Sequence, residues 1–98
     1  MNRAEYLMTV AAEEATEVGQ RIAKALRFGL TEVQAGQALT NAERIIGEYR
    51  DLEAMLYWMA VEGLIPLDYE GNRDSRTAKR AKVEKFMAIS REQGVLDQ

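Results

Sequence analysis

The sequence contains neither cysteine nor histidine. Without cysteine there are no disulfides, no thiolate metal sites and no cysteine nucleophile. Without histidine there is no imidazole base, no Ser-His-Asp triad and no zinc site of the usual kind. Carboxylates, lysines, arginines and hydroxyls are left to carry any chemistry. Proline occurs once, at Pro66, so little in the chain interrupts a helix. No apolar run approaches the ~20 residues of a membrane span, and the amino terminus lacks the apolar core of a signal peptide. The expectation is a cytoplasmic protein with no membrane partner. Net charge is a mild -3, which argues against a general nucleic-acid binder.

What is present suits one all-α domain of 98 residues, 47% hydrophobic and 30% charged. A chain of this size buries only some 60 to 70% of its unfolded surface, so self-association is a natural supplement. The first helix is expected over Arg3 to Phe28, capped by Asn2 with Glu5 three residues on and stopped by Gly29. Leu7, Ala11, Ala15, Val18, Ile22 and Leu26 form its packing stripe, with Glu14 and Glu17 along the edge. Residues 30 to 40 are ambiguous between a short helix and a loop. Thr40 and Glu43 read as a capping box for a second helix that stops at Gly63, with Ile45, Tyr49, Leu52, Leu56 and Met59 inward. A third helix begins near Asp74 or Ser75 and ends at Gly94. Val83, Phe86, Met87 and Ile89 give it an apolar face, and its opening half is basic. Three helices on short connections predict an antiparallel bundle, completed by a short fourth helix or by homo-oligomerisation.

The stretch AAEEATEVGQ, residues 11 to 20, crowds Glu13, Glu14 and Glu17 into one and a half turns. Like charges three and four residues apart on a helix repel. Glu48 and Asp51 repeat the i, i+3 arrangement on the second helix. If the two helices pack side by side, four acids converge, and a hard divalent cation such as Mg²⁺ takes such oxygen ligands while bridging them to phosphate. Taken alone, the glutamates of residues 13 to 17 read as an ordinary solvated face, since glutamate is a good helix former, and it is the matching pair on the second helix that points to a metal.

EExxE, present as Glu13-Glu14-Ala15-Thr16-Glu17, followed by ExxD, present as Glu48-Tyr49-Arg50-Asp51, resembles the all-α nucleoside triphosphate pyrophosphohydrolases of the MazG type. KALRFG (24 to 29) and KVEKFMAISREQG (82 to 94) look like short phage-borne members. The separation of the two motifs, residues 18 to 47, is slightly longer than is usual in the larger family, and the 30 to 40 segment can absorb the surplus. The resemblance implies cleavage between the α and β phosphates of a nucleoside triphosphate, giving monophosphate and pyrophosphate. It also implies a homodimer or homotetramer. Glu14, Glu17, Glu48 and Asp51 would hold Mg²⁺ or Mn²⁺, more than one ion per site. Glu13 would be an outer ligand or orient the attacking water, and Glu13 or Glu17 would accept the water's proton.

By the same resemblance Arg44, one turn before Glu48, and Lys82 and Lys85 of the third helix would touch phosphate. Arg44 is equally placed for an i, i+4 ion pair with Glu48, and the lysines for solvent. Trp58 and Met55, which extend the carboxylate row, and Phe28, which closes the first helix, are candidates for gripping the base, against the alternative of core or subunit interface. The phage-like character points to (d)GTP and to remodelling of the deoxynucleotide pool. A different class also fits the residues: a non-catalytic helical interaction or regulatory protein whose acidic face binds a basic partner.

Overall fold

A computed structural model describes residues 1–98, and the chain is all-helical: α1 (Arg3–Phe28), α2 (Asn41–Val61) and α3 (Arg73–Glu92). Local signals set the ends. Asn2 accepts a hydrogen bond from the Glu5 amide at 2.8 Å and opens α1. Thr40 and Glu43 close a reciprocal capping box at the head of α2, each side chain bonded to the other's backbone amide. α3 starts slightly earlier than its sequence suggests, because Asn72 rather than Asp74 or Ser75 caps it, accepting from the Ser75 amide at 2.8 Å.

Residues 30 to 40 form no helix. They make a tight connection with a single bridge between Val33 and Thr40 and a left-handed turn at Gly36, φ 81°. Asn41 locks this connection to the end of α1. It is 2% exposed, and its Nδ2 donates to the Gly29 carbonyl at 2.8 Å and to Glu32 Oε1 at 3.2 Å. α2 is thereby folded back antiparallel on α1. At the far end the Arg3 guanidinium is paired with Glu62.

The packing face of α1 differs from the expected stripe. Leu7, Ala11 and Ala25 are buried, with Glu14, Val18 and Arg21 partly buried between them, at spacings of four and three throughout. Ala15 is exposed, as are Ile22 at 51% and Leu26 at 88%, and on α2 Tyr49 is exposed as well. The helix carries two apolar rows of the same period, and the one that meets α2 is the row interrupted by Glu14 and Arg21. The core is correspondingly small: Leu7, Ala11 and Met59 in contact, with Met55, Leu56 and Ile65 against them.

α3 packs on neither of the other helices, so within one chain the bundle is the α1–α2 hairpin alone. The radius of gyration is 17.0 Å, where a compact domain of this length has about 13 Å. The accessible surface is 7836 Å², against roughly 5,700 Å² for a compact monomer of this mass. No helix is long and apolar enough to cross a membrane.

Candidate metal centre

Antiparallel packing of α1 on α2 brings the two acidic motifs to the same level of the hairpin. One carboxylate oxygen from each of Glu14, Glu17 and Glu48 lies within 4.8 Å of the others. Glu14 and Glu48 occupy the seam itself, partly buried, while Glu17 is exposed at its edge. Asp51 is exposed one turn beyond Glu48 and does not join this closest group, although its charge reaches Glu14. Glu13 lies outside the seam, in an open groove along α1 with Thr9, Thr16 and Glu17.

Burial and mutual repulsion act in the same direction on these acids. Glu14 is pushed above the usual glutamate range first by desolvation, then by the charges of Asp51, Glu48 and Glu13. Glu48 is raised by desolvation and by the adjoining carboxyl of Glu17, while Arg21 opposes the rise. Arg21 was not singled out by the sequence motifs. It sits four residues after Glu17 and seven after Glu14, and that helical spacing is the signal by which it could have been found. Its Nη2 lies 3.9 Å from Glu48 Oε1, with the two side chains 12% and 21% exposed.

The cluster remains incompletely satisfied. Glu14 Oε2 and the Arg21 Nε and Nη1 atoms are shielded from solvent and have no hydrogen-bond partner. Buried polar atoms are normally paired, because an unpaired one costs about 1 to 3 kcal/mol. An all-oxygen donor set with a shielded, unpartnered carboxylate oxygen fits a hard divalent cation.

Arg44 Nη1 donates to Gln34 Oε1 at 2.8 Å, and the ion pair with Glu48 is not formed. Lys82 and Lys85 are exposed on α3, which the chain does not bring to its own acidic cluster. Met55 and Trp58 do come together, with Arg3, Tyr6, Leu7 and Val10, around an apolar groove of about 440 Å³. Val10 stands one turn before Glu14 and Met55 one turn after Asp51, so groove and carboxylates adjoin. Trp58 also donates to Glu62 at 3.2 Å and lies under the Arg3 guanidinium, 5.7 Å from the ring centroid. Phe28 is elsewhere: it follows Arg3 by 25 positions on α1, roughly 37 Å along the axis, and stacks with Arg27 at 4.8 Å.

Comparison with protein-family models, with curated proteins and with solved structures finds no match.

Proposed function

We propose that this protein is a divalent-cation-dependent nucleoside triphosphate pyrophosphohydrolase that cleaves between the α and β phosphates. The observation that carries the reading is the convergence of Glu14 and Glu17 from α1 with Glu48 from α2 in a partly desolvated seam. A partly buried seam position is costly for negative charge, and a bound cation lowers that cost beyond what Arg21 already offsets. Glu14, Glu17, Glu48 and Asp51 are the residues that would hold Mg²⁺ or Mn²⁺, with more than one ion accommodated by four carboxylates. Bound there, the ions supply charge neutralisation of the triphosphate and a more acidic water.

The remaining roles belong to the chain. Glu13 and Glu17 share the groove on the outer side of α1, where a carboxylate can orient a water and take its proton. Arg21 holds its guanidinium beside Glu48, with Nε and Nη1 shielded from solvent, so it acts as a counter-ion that positions the carboxylate rather than as a contact to phosphate. The groove lined by Met55 and Trp58 adjoins the acids and offers an apolar surface for a base. Phe28 is too far away to share it. The resemblance to short phage-borne enzymes favours (d)GTP.

The test is product analysis after incubation of ribo- and deoxynucleoside triphosphates with the protein, with Mg²⁺, Mn²⁺ or a chelator. Monophosphate and pyrophosphate in equal amounts from one or two of them, only with cation, is the expected result. A second reading, a non-catalytic interaction protein, draws on the unpacked α3 with its exposed Phe86 and Met87. It predicts no product from any triphosphate.

A further inference from the structure

α3 has nothing to pack on in its own chain, and the surface left open is large. The excess over a compact monomer is about 2,100 Å² per chain, so two copies hold roughly 4,000 Å², within the range of obligate homodimer interfaces. The charge is divided unevenly. α3 carries seven basic and three acidic residues, whereas residues 1 to 72 carry six basic and twelve acidic.

The pattern along the two helices also matches. One side of α3 carries Arg76, Lys79 and Arg80, then Val83 and Met87, with the exposed Phe86 beside them. Glu84 shares that side and pairs with Arg80 at 3.1 Å, so Arg76 and Lys79 are its uncompensated cations. Lys85 falls on the opposite side. On the acidic flank of the hairpin, α1 presents Tyr6 and Val10, then Glu13 and Glu17. The basic and apolar groups of α3 are centred about seven residues apart, as are the apolar and acidic groups of α1, some 10 Å in each case. Laid antiparallel, α3 sets its cations over Glu13 and Glu17 and its apolar side chains over the groove of Tyr6, Val10, Met55 and Trp58. Tyr6 is 62% and Trp58 43% exposed, so this groove lacks a wall.

The chain's own α3 does not take that position, and its connection to α2 leads the other way. Tyr69 donates to Glu53 Oε1 at 2.9 Å, and Glu53 projects about 200° around α2 from Asp51 at 100° per residue, on the flank away from the acids. Only residues 70 to 72 then separate the tether from α3, a span of about 10 Å, and a helix with its side chains is that thick.

We infer that α3 is a docking arm for a second copy of this chain: its basic and apolar side seats antiparallel on the acidic flank of the other copy's hairpin, and the exchange is reciprocal. This holds whether or not the protein turns over nucleotides. If it does, each site receives its basic side chains and the missing wall of its groove from the other copy. Lys79 is then the lysine nearest the acids, rather than Lys85.

The absence of cysteine makes the test direct. Full-length Tyr6→Cys and Phe86→Cys chains are mixed and oxidised, and the pairing is read by mass spectrometry. The inference expects a Tyr6–Phe86 position disulfide between different chains, and none when Ile22→Cys, on the other flank of α1, replaces Tyr6→Cys. An intrachain bond in the double variant, preferential capture by Ile22→Cys, or no cross-link would overturn it. In parallel, light scattering of the unmodified chain should give a multiple of the 11.1 kDa monomer mass. Phe86→Glu with Met87→Glu should raise the dissociation constant by at least about tenfold at unchanged helicity, and Lys79→Glu should do so most at low salt. A monomeric unmodified chain, or a double variant that associates as before, contradicts the docking.

Discussion

Arg21 Nη2 faces Glu48 Oε1 across the α1–α2 seam at 3.9 Å, and it is the only cation among the partly buried acids of the cluster. At that separation the attraction is incomplete, and two of its nitrogens are unpaired. Arg21 therefore offsets part of the repulsion between Glu14, Glu17 and Glu48 without removing it. Arg21→Met is expected to destabilise the metal-free protein by about 1 to 2 kcal/mol in urea denaturation, net of the relief of its own unpaired nitrogens. Mn²⁺ should then stabilise the variant more than the parent. Equal Mn²⁺ effects on the two would contradict the role of Arg21 as a counter-ion.

Glu14→Gln and Asp51→Asn separate the two functional readings. Each is expected to lower pyrophosphate release by at least about a hundredfold, the scale on which loss of one charge-positioning group is felt, while circular dichroism shows an intact helical protein. Glu14→Gln should also leave the metal-free hairpin at least as stable as before, since it removes a buried like charge. Turnover retained by both variants would contradict the proposed site.

Asn41 is a structural residue, 2% exposed at the head of α2. Its amide is committed to Gly29 and Glu32. Asn41→Ala leaves the Gly29 carbonyl without that donor inside a closed connection and should cost about 1 to 3 kcal/mol of stability. The loss should appear equally with and without nucleotide.

Acid should loosen the start of α2 in a defined direction. Glu43 is held below the usual glutamate range, chiefly by the backbone hydrogen bond at Thr40 and then by the Thr40 side chain. A carboxyl whose folded value is lowered contributes stability that is present above its unfolded value of 4.5 and fades as pH falls through the folded one. Glu43→Gln should flatten this part of the stability profile below pH 4.5, and Thr40→Ala should cost about 0.5 to 2 kcal/mol at neutral pH.

Caps and stops were legible in the sequence: Asn2, the Thr40–Glu43 box and the glycines place α1 and α2 where they stand. Which side of α1 faces α2 was not. Ile22 and Leu26 satisfy the same periodicity as Ala11, Val18 and Ala25, and a rule that turns apolar residues inward prefers the greasier row. The folded hairpin instead places Glu14 and Arg21 in its seam, a choice that local hydrophobicity cannot express. The pairing of Glu14 and Glu17 with Glu48 was legible because both motifs repeat one spacing on consecutive helices. The position of α3 was not, because its apolar side specifies a neighbour without saying which chain supplies it.

The most direct measurement is a Mn²⁺ titration of the protein at neutral pH, followed by the electron paramagnetic resonance signal of free Mn²⁺ and compared with Glu14→Gln and Glu48→Gln. Saturable uptake of one or more ions per chain, lost or weakened at least about tenfold in both variants, is the result expected of a cation site in the α1–α2 seam. Uptake that does not saturate, or that is the same in all three proteins, would contradict it.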